Sequence, residues 1–211
     1  LIDEAWYAHG RFHPALRPNA LECGADYVTQ STHKMLSAFS QASMIHVNDP
    51  NFNEHRFREH LNMHTSTSLQ YAMNASLDVA RKQMSMEGFS LLERCIDIAT
   101  RLRPAIDATG LFRVLSLSDM LPSELMHEDI RIDPTNLSID VAASGYSARQ
   151  LQLDLIEDYG IQEEKVTHNT LSVLVTLGTT ESKVMRLISA MQKLAAAAPG
   201  IEESSRRRVS S

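Results

Sequence analysis

Cysteine is scarce in this sequence, and the two that occur form no pattern. Cys23 and Cys95 are far apart, with no CxxC unit, which excludes a disulfide-built scaffold and a zinc-finger type of site. Reduced thiols in a cytoplasmic protein are the expectation. Apolar runs long enough to span a bilayer are also lacking, and the residues from Leu1 onward do not read as a signal peptide. Positive charge is the third shortage: 20 Lys and Arg stand against 26 Asp and Glu, a formal net charge of -6. General nucleic-acid binding needs clustered cations to meet phosphates. The one basic run, Arg206 to Arg208, lies in a Ser-rich stretch, and residues 199–211 are expected to form a flexible, solvated tail.

What is present suits a folded protein of one or two domains. The 211 residues are 43% hydrophobic and 22% charged, enough apolar material for a core and too little charge for a disordered chain. The chain opens on Leu1-Ile2 rather than Met, which reads as the end of a buried strand, so further sequence is expected upstream.

Short apolar runs alternate with helical patterns, the signature of an α/β arrangement. Leu1-Ile2, Ala25 to Val28 and Met44 to Val47 read as strands, and Asn53 to Asn62 as a short helix. From Ser68 to Arg103 the apolar spacing predicts helices broken near Gly88. Composition shifts after Pro104, and the domain boundary is placed near residue 105. Beyond it, Leu111 to Leu117 and Leu137 to Val141 read as strands. Ser147 with Gln150 three residues on is a capping-box pattern, and Gly160 follows that helix. Ile161 to Thr167 and Leu171 to Leu177 read as strands joined by a turn at His168-Asn169, before a helix from Thr180 to Ala198. This order predicts a compact α+β unit.

Asp3 follows one strand end and Lys34 follows another, so both are placed at the carboxyl edge of an α/β sheet, where ligands of such folds bind. One reading is an ion pair. The other is chemical, because Ser31, Thr32 and His33 precede the lysine. An imine-forming lysine must lose its proton, hydroxyls and loop amides suit a phosphate, and a carboxylate holds a pyridinium nitrogen protonated. These are the requirements of pyridoxal phosphate chemistry.

Four segments, "DEAW", "QSTHK", "AFSQASMIHV" and "MHTSTS", together resemble the ornithine/lysine/arginine decarboxylases of the aspartate-aminotransferase-like fold type I. The resemblance runs from Leu1 to about Ala198. It implies an α/β fold: residues 1–105 would be the C-terminal part of the large domain that binds pyridoxal 5'-phosphate, and 106–198 a small α+β domain. It makes Lys34 the imine-forming lysine and Asp3 the partner of the ring nitrogen. Ala5 then lies against the pyridine ring and Trp6 near its phenolic oxygen. Ser31 and His33 match positions at the phosphate or the imine. Ser66 and Thr67 resemble residues that reach the cofactor phosphate of a neighbouring subunit, which implies a homodimer or higher homo-oligomer with shared sites. Two departures stand out: Leu69, where the family usually has proline, and the upstream half of the cofactor domain, which is not in this sequence.

The implied activity is decarboxylation of a basic amino acid, arginine first and lysine or ornithine next, to an amine and CO2. Alternatives are a non-catalytic relative that folds or assembles without productive cofactor binding, and an aminotransferase. The latter needs a late arginine for the substrate carboxylate, and neither Arg149 nor Arg186 has a recognisable context. No metal is expected. His60 and His64 have a helical spacing that could hold one, but no Cys or carboxylate completes a site, so His55, His60 and His64 read as surface or packing residues. His9 and His13 flank Arg11 in a segment read as loop structure or as a substrate or subunit contact. Glu163, Glu164 and Lys165 read as a solvated strand edge, and the ten methionines as filler of an adaptable core.

Overall fold

The computed structural model describes residues 1–66, 68 and 70–198. The expected tail, 199–211, and the site candidate Thr67 lie outside the described residues, as does Leu69. The chain divides into two compact units, Leu1–Glu93 and Arg94–Ser211.

In the first unit, β1 (Ile2–Asp3) pairs parallel with β2 (Tyr27–Gln30), and β2 pairs antiparallel with β3 (Met44–Val47). The parallel pair needs a long crossover, supplied by residues 4–26 with two short 3-10 turns, Gly10–Phe12 and Pro14–Leu16. After β2 comes α1 (Thr32–Met35), one turn long, and after β3 comes α2 (Glu54–Asn62), capped by Asn53 Oδ1 accepting from Arg56 N–H at 2.9 Å.

The expected break near Gly88 does not occur. A single helix, α3 (Tyr71–Asp107), runs through Gly88 and past Pro104. Its residues Ser76, Ala80, Met84 and Leu92 are buried at intervals of four or eight, one face of a helix. Gly88 lies on the same stripe, and a Cβ there would meet Cβ of Phe12 at 3.2 Å. The glycine serves close approach of the crossover loop, not helix termination. The boundary placed near 105 falls inside this helix, and the compact units divide at 93 and 94. The reason is packing: Cys95, Ile98, Ala99, Leu102 and Ile106, near the helix end, belong to the second unit's core.

The second unit holds an antiparallel sheet of β4 (Arg113–Val114), β5 (Asn136–Asp140), β6 (Lys165–Val166) and β7 (Thr170–Leu174), in the order β4-β5-β7-β6. In β5, buried Leu137 and Ile139 alternate with more exposed neighbours, as a sheet with one covered face requires. Helix α4 (Leu117–Met120) begins at Leu117, the residue expected to end a strand. Helix α5 (Ala148–Tyr159) begins where Ser147 Oγ accepts from Gln150 N–H at 3.1 Å and ends at Gly160 with φ +61°, a left-handed cap that glycine supplies without strain. The capping box is half formed, because the Gln150 side chain turns to Asp154 instead. Helix α6 (Glu181–Ala196) buries Val184, Leu187, Ala190, Met191 and Leu194 along one face.

Two further expectations are corrected. Glu163 is buried, with Oε1 accepting from Gln152 Nε2, whereas Glu164 and Lys165 are exposed. Met35, Met84 and Met191 are buried, but Met63, Met86 and Met185 are well exposed, so methionine fills the core only in part. Among the described residues no helix is long and apolar enough to cross a membrane.

Candidate active site

The site is built on the ends of β1 and β2. Strand alternation sets its two faces. Registers Ile2↔Val28, Asp3↔Thr29 and Thr29↔Ile45 put Asp3, Thr29 and Ile45 on one face, and Glu4, Gln30 and His46 on the other.

Asp3 is exposed and emerges where β1 ends. Its Oδ1 accepts from Ala5 N–H at 2.8 Å, which fixes the carboxylate against its own turn. Among the described residues Oδ2 has no donor.

Lys34 sits in α1, held by three backbone bonds. Lys34 N–H donates to Ser31 O at 3.0 Å, His33 N–H to Ala42 O at 3.1 Å and Leu36 N–H to Thr32 O at 2.9 Å. Met35 and Leu36 are buried and anchor the turn, so Lys34 projects half-buried from it. Its Nζ stands 4.3 Å from the centroid of the Trp6 ring, a cation–π contact. Among the described residues Lys34 has no carboxylate partner, so the ion-pair reading of Asp3 and Lys34 is not what the structure shows. Downstream, Gln41 takes a left-handed φ of 74°, unusual without glycine, and Phe39 N–H donates to Ser76 Oγ at 3.1 Å.

The turn also holds unspent polar groups. Ser31 occupies the N-cap position of α1 without a side-chain capping bond. Thr32 is 2% exposed, and its Oγ1 is buried without a partner among the described residues, which is costly unless a ligand or water completes it. His33 is half-buried beside them. An acceptor, an amine and hydroxyl donors left free in one unit fit the chemical groups of pyridoxal phosphate. Ala5, half-buried, and Trp6, 42% exposed, follow Asp3 directly. Ser66 is exposed beyond α2, its Oγ accepting from Ser68 N–H, and nothing joins it to Lys34 within the described chain.

The opposite face carries residues that the sequence did not single out. Glu4 is 8% exposed. Its Oε1 accepts from Ala20 N–H at 2.6 Å and its Oε2 from Gln30 Nε2 at 2.8 Å. Gln30 Oε1 in turn lies 2.9 Å from His46 Nε2. Burial holds His46 below the ordinary imidazole range; Glu4 opposes that shift and Arg11 adds to it. No local pattern reveals these contacts, because the register of three strands is needed to align the side chains.

The remaining candidates are dispersed or structural. His13 is buried, stacks on Phe89 at 4.8 Å and meets Glu93 Oε2 at 2.6 Å, so the loop reading holds for it. No group of His, Cys, Asp and Glu suited to a metal occurs among the described residues. The second unit has a cavity of about 310 Å³ lined by Leu102, Val173, Val175, Leu187, Lys183 and Arg186 among others; it contains none of the predicted site residues.

Residues 1–183 match the family model of the Orn/Lys/Arg decarboxylase major domain. Arginine decarboxylase of Bacillus cereus is 35% identical over 196 residues, covering 93% of this chain and 42% of that protein. The crystal structure of Francisella novicida lysine decarboxylase superposes with a TM-score of 0.75 at 26% identity, covering 92% of this chain and 32% of that one. The alanine–glyoxylate aminotransferase of Nostoc aligns with a TM-score of 0.62 at 13% identity, over 91% of this chain and 52% of its own, a likeness of fold alone. The chain thus spans about two fifths of the arginine decarboxylase it matches. Its architecture is that of part of a fold type I large domain followed by a small α+β domain, as expected.

Proposed function

Because the chain belongs to the Orn/Lys/Arg decarboxylase family, we propose that its protein decarboxylates a basic amino acid with pyridoxal phosphate, giving the amine and CO2. Arginine is the first choice of substrate, on the likeness to the Bacillus cereus enzyme, and lysine or ornithine the next. The observation that carries the reading is that Asp3 and Lys34 extend from adjacent strand ends with their reactive atoms uncommitted. Among the described residues Asp3 keeps one oxygen without a donor, and Lys34 rests on an indole face rather than on a carboxylate.

When bound, pyridoxal phosphate supplies an aldehyde that bonds amines and a protonated ring that draws electrons from the substrate α-carbon. In this chain, Lys34 Nζ would be the amine that holds the cofactor at its aldehyde. Asp3 Oδ2 would accept from the ring N–H and keep that proton in place while CO2 departs. A fixed carboxylate needs no reorganisation as charge moves, the usual source of electrostatic catalysis. Ser31 and His33 would hold the phosphate or border the imine, Ala5 would pack on the ring, and Trp6 would stand by the phenolic oxygen. Ser66 and Thr67 would complete the phosphate site of a second copy, which makes the active form a homodimer or a larger assembly. Its location is proposed to be the cytoplasm and its product a polyamine-type amine.

The test is an absorbance spectrum of the purified protein with added pyridoxal phosphate, beside Lys34→Ala. A band near roughly 400 to 430 nm, lost in the variant, is expected. CO2 release from arginine, lysine and ornithine without a keto-acid co-substrate should follow. A band unchanged in Lys34→Ala, or activity that requires a keto acid, would sink the proposal.

A further inference from the structure

Behind the Asp3 face, three strands are joined side chain to side chain. Glu4 comes from the end of β1, Gln30 is the last residue of β2, and His46 lies within β3. A third bond, from Ala20 N–H, ties in the crossover loop. The chemistry of the groups fixes every donor. A carboxylate only accepts, so Gln30 presents its Nε2 to Glu4 and its Oε1 to His46, which leaves His46 Nε2 as the donor. The amide has one orientation, and the three strand positions are set against one another by directional bonds. The ladder between β1 and β2 is only two residue pairs long, Ile2↔Val28 and Asp3↔Thr29, and is extended by Glu4 N–H to Thr29 O at 2.9 Å. So short a pairing leaves much of the alignment to side chains.

Sequence adjacency turns this network into a device. Glu4 is flanked by Asp3 on one side and Ala5-Trp6 on the other, and Gln30 directly precedes the Ser31–Lys34 turn. We infer that Glu4, Gln30 and His46 act as positioning residues: a buried bolt that holds the Asp3–Trp6 strand end in register with the Lys34 turn. Its consequence for the cofactor rests on the decarboxylase reading, but the geometry it controls does not. A fully bonded buried network specifies one arrangement, while a half-bonded one loosens it. The bolt therefore works through completeness more than through charge. Glu4→Gln can rebuild it: the new amide accepts from Ala20 N–H and donates to Gln30 Oε1, Gln30 turns its Nε2 outward, and His46 Nε2 accepts as the other tautomer. Glu4→Ala leaves Ala20 N–H and Gln30 Nε2 without partners.

The single tryptophan of the sequence reports on this register, because Trp6 carries Lys34 Nζ at 4.3 Å. Trp6 emission is recorded for the full chain without added cofactor, with and without Lys34→Met, in the wild-type, Glu4→Gln and Glu4→Ala backgrounds. The Lys34-dependent difference is expected in the first two and lost in Glu4→Ala. His46→Ala, which empties a half-buried end of the network, should reduce it and decides the matter if Glu4→Ala fails to fold. Met84→Ala loosens the same unit's packing at buried Met84 of α3, which takes no part in the network's hydrogen bonds, and should leave the difference intact. The inference is overturned if the wild type shows no such difference, if it survives the loss of Glu4 or, in a Glu4→Ala chain that fails to fold, the loss of His46, or if Met84→Ala abolishes it equally. In the loaded protein, Glu4→Ala should weaken pyridoxal phosphate binding about tenfold, the equivalent of one hydrogen bond, with Glu4→Gln near wild type. A chain that keeps the Trp6 signal but forms no absorbance band would defeat the decarboxylase reading and leave the bolt standing.

Discussion

Nε2 of His13 lies 2.6 Å from Oε2 of Glu93, and the rest of the contact determines which atom carries the proton. His13 Nδ1 accepts from Ala15 N–H at 3.2 Å, so Nε2 is the donor and the imidazole need not be charged to make both bonds. The pair binds the crossover loop to helix α3 at a point where the ring also stacks on Phe89.

His13→Ala should therefore destabilise the first unit. Glu93 is half exposed, which discounts the pair, so the expected loss is about 1–2 kcal/mol by urea denaturation. Glu93→Gln keeps an acceptor and should cost less than half as much. Equal losses from both would show that the ionised carboxylate, not the hydrogen bond, holds the loop.

His46 predicts a pH dependence with a definite sign. Its folded value lies below the ordinary 6.5, with burial the first cause. The unfolded chain then binds the proton more readily than the folded one. The stability linked to His46 is complete above about pH 6.5 and declines as pH falls from there to the folded value, where it levels off. The difference between wild type and His46→Gln in melting temperature should shrink over that window on acidification. A difference that grows instead would reverse the assignment.

The two thiols should behave differently. Cys23 is exposed and Cys95 is 1% exposed, with burial the first cause of a raised thiol pKa and Arg94 opposing it. Since the thiolate is the reactive form, a mild disulfide reagent at neutral pH should label Cys23 at once and Cys95 only on unfolding. Because Cys95 lies in the core of the second unit, its labelling rate in urea gives that unit's opening. Prompt labelling of both would contradict the burial.

Much of this architecture could be read from the chain alone. A short apolar run marked Met44–Val47, and local caps marked Ser147 and Gly160, because those signals depend on a few neighbouring residues. The long helix was misread at Gly88, since its reason for being glycine is Phe12, distant in sequence. The site was legible for the same reason that its support was not. Asp3 and Lys34 belong to contiguous motifs with a chemical purpose, whereas Glu4, Gln30 and His46 meet only through strand register, and an isolated Glu beside an Asp carries no signal of its partner. Thr32 was seen as one of a hydroxyl run, but its buried, unpartnered oxygen appears only once Met35 and Leu36 are packed.

The sharpest division between holding the cofactor and using it concerns Asp3. Its carboxylate is oriented by Ala5 N–H through Oδ1, and Asp3→Asn preserves that acceptor and the shape of the turn while removing the charge. In the proposed reaction Lys34 bonds the cofactor independently of Asp3, so the absorbance band should persist in Asp3→Asn. Decarboxylation should nevertheless slow by about 10²- to 10³-fold, the usual cost of removing a preorganised electrostatic group, with the loss in kcat rather than in KM. If kcat falls less than threefold while the band remains, the ring nitrogen has another partner, and the carboxylate at the end of β1 serves only to shape its own turn.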